Sequence, residues 1–401
     1  MPLAWAPEKR YGCPGVFCFP RTALERLSIM AGDDIKKMYR TRTEGDFPDG
    51  FELLGRRYEK VEDLRYGTNP HQPAAFYRPA DREGLVLGDY EVLKSGKSGL
   101  SQTNIEDMHH AVGILKYMPT ASCAVMKHCN PSGVAMEVDG MALAEVYRRA
   151  RDADAQAAFG SVVAFNTEVD AATAEAIMES IVEGVAAPAF TEDGLAALKD
   201  FERFGRNKEI RVIRLPEFSR LPRYVGDACE AHEVKMFDDG SLVLAKPYLS
   251  RITSPEDFEP AYNEHRKKGR IDVDRQPTER ELDDLLFAWY VNIHVRSNGC
   301  VIARNGQTLA VGTGEQDRVG AVEQALAKAS TKYQGTESLE GAVLSSDGFF
   351  PFRDAVDVAV KAGVRAFVQP GGSVNDYDAI QACNEAGATM VFSLERCFSH
   401  H

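Results

Sequence analysis

The sequence predicts an α/β protein made of two α/β units joined by an inserted segment. Three observations lead to it. From Leu64 to about residue 200, short apolar runs of strand length alternate with stretches whose apolar residues recur at helical spacing. The same alternation returns after Pro277 and continues to the C-terminus. Between them, residues 201–277 are rich in charge and proline and interrupt the pattern. A length of 401 residues suits two or three domains at ~100–200 residues each. A hydrophobic content of 44% supports packed cores.

Residues 1–55 read as a partly irregular N-terminal extension, with a turn signal at Pro48-Asp49-Gly50. Pro2, Pro7, Pro14 and Pro20 punctuate its start, and the apolar run 16–19 is too short for a signal-peptide core of ~7–15 residues. The natural chain is therefore expected to begin at Met30. The first unit, 56–200, contains a helix at 105–117, where Ile105, Met108, Val112 and Leu115 share an apolar face. A strand at 122–126, a helix at 141–154, a strand at 160–165 and a helix at 171–183 follow. The segment 201–277 holds a hairpin, 233–237 with 242–245, around Asp239-Gly240. The second unit, 278–401, opens on a helix at 278–293. Thr278 is its N-cap, and Glu279 and Glu281 suit its positive end. Strands at 300–303, 308–311, 342–345, 366–369 and 389–392 alternate with helices at 319–329, 354–361 and 376–385. No fixed-period repeat relates the two units by sequence.

A net charge of −13 argues against a nucleic-acid partner, which needs clustered Lys and Arg. A small phosphorylated ligand needs only one or two local arginines. Eight cysteines form no C-x-x-C, so neither a zinc ribbon nor a redox pair is indicated, and a reduced, cytoplasmic setting is the simple reading. No run of about 18 apolar residues is present to span a membrane.

Five segments combine turn residues with reactive side chains. Arg65 lies beside the Gly67 and Asn69-Pro70 turn, where a guanidinium can grip a phosphate; a surface Arg with a carboxylate partner is the plainer alternative. Lys127-His128-Cys129-Asn130 follows a strand and leads into a Pro131-Ser132-Gly133 turn, at a strand end where α/β sheets bind ligands. Histidine is the residue type for a general base near neutrality, and an adjacent lysine can stabilise an oxyanion; for the pair taken alone, a surface loop is the plainer reading. Arg296-Ser297-Asn298-Gly299 offers an amide to a carbonyl, or caps a helix. Phe349, Phe350 and Phe352 in the loop 346–354 could cover a flat ring, or pack on the core. Gln369-Pro370-Gly371-Gly372-Ser373 suits an anion at a helix start, or a tight connection. Ser95-Gly96-Lys97-Ser98 is not a phosphate loop, because Glu91 stands where glycine is required. No zinc-deaminase motif is present either.

Together these segments resemble the transformylase part of the AICAR transformylase/IMP cyclohydrolase family. The motifs are RYGTNPHQ (65–72), KHCNPSG (127–133), AFGSVVA (158–164), RSNGCVI (296–302), GTGEQDR (312–318), SDGFFPFRD (346–354), QPGGS (369–373) and the tail with Arg396. The resemblance implies two cytidine-deaminase-like three-layer α/β/α units. It implies formyl transfer from 10-formyltetrahydrofolate to the 5-amino group of AICAR, without a catalytic metal, in a homodimer with sites between subunits. By the same resemblance His128 is the general base, Lys127 stabilises the transition state and Asn298 orients the reacting groups. Arg65, Tyr66 and Arg396 hold the nucleotide, with Asn104, Gly160, Glu183 and Phe349 completing its site. Arg318, Asp354, Ser373 and Val374 face the folate. Only 64 residues precede Arg65, so a stand-alone transformylase is expected, with a separate cyclohydrolase closing the ring. Glu183 stands where some members have Asp, Arg296 replaces a frequent Lys, and the tail is slightly altered. A formate- and ATP-dependent ligase and a non-catalytic nucleotide-binding protein are the competing readings.

Overall fold

The computed structural model describes residues 37–400 apart from Lys97, Ser219 and 334–337; the expected start at Met30 lies outside them. An antiparallel sheet comes first, from β1 (Gly50–Leu53), β2 (Arg56–Asp63) and β3 (Ala75–Pro79). After β4 (Glu91–Lys94) the first unit runs α1 (Gln102–Leu115), β5 (Ser122–Lys127), β6 (Asn130–Met136), α2 (Leu143–Asp152), β7 (Ser161–Phe165), α3 (Ala171–Met178), β8 (Val182–Ala187), α4 (Glu192–Lys199) and β9 (Arg211–Arg214). The ribbon β10 (Glu233–Met236) with β11 (Leu242–Ala245), the short β12 (Glu259–Pro260) and the pair β13 (Tyr262–His265) and β14 (Gly269–Asp272) follow. The second unit repeats the order of the first: α5 (Glu279–Asn292), β15 (Cys300–Arg304), β16 (Gln307–Gly312), α6 (Arg318–Tyr333), β17 (Ala342–Ser346), α7 (Asp354–Lys361), β18 (Val364–Gln369), α8 (Asp376–Glu385) and β19 (Thr389–Phe392).

Both units contribute to one mixed sheet of 12 strands, ordered β12-β19-β18-β17-β15-β16-β6-β5-β7-β8-β9-β4. Without its outermost strands the order reads the same from either end, and β6 meets β16 antiparallel at the centre. In each unit a hairpin is followed by parallel strands, as crossover helices require.

Side-chain alternation along the strands sorts the core into three clusters on the two faces of the sheet. Ala124, Val162, Val301 and Val343 face a single cluster shared by α1 and α5, which therefore cover both units at once. Val125, Val163 and Phe165 face α2, α3 and α4 on the other side, and Ile302, Leu344 and Phe367 face α6, α7 and α8. Fully burying an apolar side chain such as Leu285 of α5 contributes ~1.5–3 kcal/mol.

The expected α/β class is the observed one. One predicted helix needs correction: 171–183 stops at Met178, and Val182 already belongs to β8. Only three residues separate the two elements, so the apolar pattern ran on without a visible break. Helix α1 begins earlier than predicted, because Ser101 and Asn104 form a capping box. Within 201–277, β9 is a strand of the main sheet. Among the described residues no helix is long and apolar enough to cross a membrane.

Candidate active site

The Lys127–Asn130 pair closes the β5–β6 hairpin around a two-residue turn, His128-Cys129. Both residues have positive φ, 54° and 64°, as a type I′ turn demands. The turn was expected at Pro131-Ser132-Gly133, but those residues lie within β6. Pro131 is tolerated there because the ladder shifts register between Val125 and Met126. The second unit makes the same turn with Asn305-Gly306, φ 54° and 65°, the pair this turn favours. His-Cys is not such a pair, and a non-glycine residue in this region costs roughly 1–2 kcal/mol.

His128 is exposed, and it lines a cavity of about 540 Å³ together with Tyr66, Asn104, Asp107, Lys127, Gly160 and Glu183. Lys127 Nζ donates to the carbonyls of Phe159 (3.0 Å) and Gly160 (2.7 Å). A Cβ on Gly160 would sit 3.1 Å from that nitrogen, so glycine keeps the ammonium in place. Asn104 Nδ2 donates to Glu183 Oε2 at 3.5 Å. Arg65 does not line the cavity; it is 2% exposed and sits behind Tyr66, donating to its hydroxyl at 2.8 Å. Burial raises the Tyr66 phenol, against the pull of Arg65.

Two further charges lie at this wall. Arg211 is lowered to about 10 by burial and by Arg65, and its Nη1 is 3.8 Å from Glu183 Oε2. Asp107, 4% exposed, accepts the Cys129 N–H at 2.7 Å. Burial pushes its carboxyl up to about 7, opposed by that N–H and by Lys127. The Cys129 thiol is raised to about 12, by burial first and then by Asp107 and Glu106.

Asn298, Arg318, Phe349 and Arg396 line a second cavity of about 500 Å³. The C-cap of α5 is Ile293, so the segment is not a helix cap, and the Asn298 backbone and side-chain amides both donate to Glu315 O, at 3.0 and 2.9 Å. Asp347 organises this wall by accepting from Ser297 Oγ (2.6 Å), Gly299 N–H (2.9 Å) and the buried Arg318. Arg396 lies 4.7 Å and Arg318 5.9 Å from the Phe398 ring centroid. Of the three phenylalanines, Phe349 and Phe352 are exposed, whereas Phe350 belongs to the core. Asp354, Ser373 and Val374 line neither cavity. Asp354 accepts from Ala355 N–H, Ser373 N–H donates to Asp376, and Val374 is 79% exposed. Gly371 of the same loop does line the second cavity.

The two cavities share no lining residue, yet both open on one edge of the sheet. β5 runs antiparallel to β7, which puts the His128 turn beside Gly160. β15 runs antiparallel to β17, which puts Asn298 beside Phe349 at the same edge. Asn130 joins the two sides: its Oδ1 accepts from Arg296 N–H (2.9 Å) and Thr313 Oγ1 (2.7 Å), and its Nδ2 donates to His128 O (3.2 Å). Sequence reasoning missed Asp107, Arg211 and Asp347. Asn104 and Asp107, three apart on α1, share a helix face, and that spacing was the available signal. Asp347 lies in the flagged loop 346–354 but its role was not read, and nothing local marks Arg211.

The family model described as AICARFT/IMPCHase bienzyme matches residues 29–328. The bifunctional purine biosynthesis protein PurH of Oceanobacillus iheyensis is 37% identical over 366 residues, covering 91% of this chain and 64% of the relative. The PurH proteins of Persephonella marina (39% over 355 residues, covering 88% of this chain and 62% of the relative) and Acetivibrio thermocellus (37% over 360 residues, covering 89% and 62%) are similar in the same way. The chain spans 62–64% of the length of these relatives. By family match and by identity over nine-tenths of its length, the chain belongs to the AICARFT/IMPCHase bienzyme family.

Proposed function

We propose that the chain transfers the formyl group of 10-formyltetrahydrofolate to the 5-amino group of AICAR, giving FAICAR and tetrahydrofolate, in cytoplasmic purine biosynthesis. One observation supports this above the others: Tyr66, Asn104, Lys127, His128, Gly160 and Glu183 converge on one cavity. The amine of an aminoimidazole is a poor nucleophile, because its lone pair is delocalised into the ring. In this reading its nitrogen bonds to the formyl carbon while His128 takes the departing proton. Lys127, two of whose hydrogens are held by the Phe159 and Gly160 carbonyls, directs its third at the oxygen that gains charge. The bond from carbon to folate N10 then breaks, and N10 takes up a proton.

Tyr66, backed by the buried Arg65 that donates to its hydroxyl, takes the phosphate end of the nucleotide together with Arg396, and Glu183, Asn104 and Phe349 hold its remainder. Arg318, Asp354, Ser373 and Val374 belong to the folate side, and Asn298 orients the reacting groups. Because the two cavities are separate within one chain, the reading includes a homodimer whose second copy completes each site. The β10–β11 ribbon favours it, with Met236 67% and Val243 50% exposed.

The test is to mix the protein with AICAR and 10-formyltetrahydrofolate, without ATP, and follow tetrahydrofolate release. Turnover is expected, and His128→Ala should lower kcat by ~10²–10⁴-fold. Folded protein that shows no turnover rejects the reading. Full activity in His128→Ala rejects the base, and a requirement for formate and ATP turns the assignment to a ligase. FAICAR offered alone measures ring closure independently.

A further inference from the structure

The two units carry the same hairpin turn, and each turn is held by a buried aspartate on the helix that precedes it. In the second unit, Asp284 of α5 accepts from both turn residues, Asn305 N–H to one carboxyl oxygen and Gly306 N–H to the other, each at 2.9 Å. In the first unit, among the described residues, Asp107 of α1 accepts the Cys129 N–H alone, at 2.7 Å through Oδ1. Both aspartates stand six residues after a capping-box N-cap, Ser101 and Thr278, so the two occupy matching places. Asn305-Gly306 adopts the left-handed conformation readily, whereas His128-Cys129 does so against its own preference. The first turn therefore depends more on its anchor than the second. Asp107 also lines the reaction cavity, beside Lys127, Glu106, Cys129 and Glu183.

Resting on the formyl-transfer reading, we propose that Asp107 is a positioning residue for the reaction. By holding the Cys129 N–H it keeps the His128-Cys129 turn left-handed, and so fixes where His128 presents its imidazole. Without that acceptor the turn relaxes toward ordinary backbone and the imidazole moves away from the amine. A displacement of about 1 Å at a reacting group can cost ~100-fold in rate.

The experiment compares Asp107→Ala, Asp107→Asn and Asp284→Ala with the wild type. It reads kcat, the AICAR KM, the melting temperature and the His128 imidazole resonances by NMR. Asp107→Ala should lower kcat by ~100-fold while KM changes by less than about 3-fold. Asparagine keeps an oxygen acceptor for Cys129 N–H, so Asp107→Asn should return kcat to within ~10-fold of wild type and restore the His128 resonances. Asp284→Ala should lower the melting temperature but leave kcat per folded molecule unchanged. Unchanged kcat in Asp107→Ala overturns the proposal. So does Asp107→Asn no better than alanine, or an equal kcat loss in Asp284→Ala. If the wild type itself transfers no formyl group, the functional reading fails separately. The resonances then decide the positioning role, and His128 signals unmoved by Asp107→Ala overturn it.

Discussion

Lys127 and His128 owe their placement to neighbours in the cavity wall that take no part in the proposed bond-making. The Gly160 carbonyl and its missing Cβ set the ammonium, and the Asp107 carboxylate sets the turn. Asp107 also has a thermodynamic signature. Its carboxyl is raised in the fold from 3.8 to about 7, so the folded chain holds a proton that the unfolded chain has released. The contribution of Asp107 to stability therefore falls as pH rises from 3.8 to about 7, the opposite of a salt-bridged carboxylate. Asp107→Asn removes this titration. The melting temperature of the variant relative to the wild type should therefore rise across that window; parallel curves would contradict the assignment. In the sequence, Lys127-His128 stood out as a reactive pair, but its anchor did not. A buried aspartate on an amphipathic helix is written no differently from an exposed one.

Among the elements, α5 shows how far local chemistry determines a boundary. Thr278 Oγ1 accepts from Glu281 N–H at 3.2 Å, Glu281 Oε2 accepts from Thr278 N–H at 2.8 Å, and Arg275 grips both Glu281 oxygens at 2.8 Å. Thr278→Ala should lower unfolding free energy by about 1 kcal/mol in denaturant titration, with kcat unaffected. This cap was legible because it is contiguous: Thr278 and Glu281 are three residues apart. The α3–β8 boundary was not, since Ile181 and Val182 continue a helical apolar pattern and only pairing of β8 with β7 and β9 makes them a strand. The hairpin turn was misplaced for a related reason. Pro-Ser-Gly carries the stronger turn signal, and the register shift that absorbs Pro131 into β6 depends on β5 across the ladder.

At the scale of the whole molecule, the alternation of apolar runs reads as two stretches of strands and helices, but does not tell that their element orders repeat each other. Topology depends on which faces are apolar, and many residue choices give the same faces. The symmetry has a mechanical consequence. The units meet along β6 and β16 and under the shared helices α1 and α5, while the stretch between them reaches the surface at the β10–β11 tip, Asp238-Asp239-Gly240. That tip is exposed and is a natural place for a protease to cut. One cut there should yield two bands on a denaturing gel but a single native species of unchanged size and activity. Dissociation on nicking would show that the tether, and not the β6–β16 seam, holds the halves together. A broken chain that still works would be two proteins in covalent terms and one enzyme in every other.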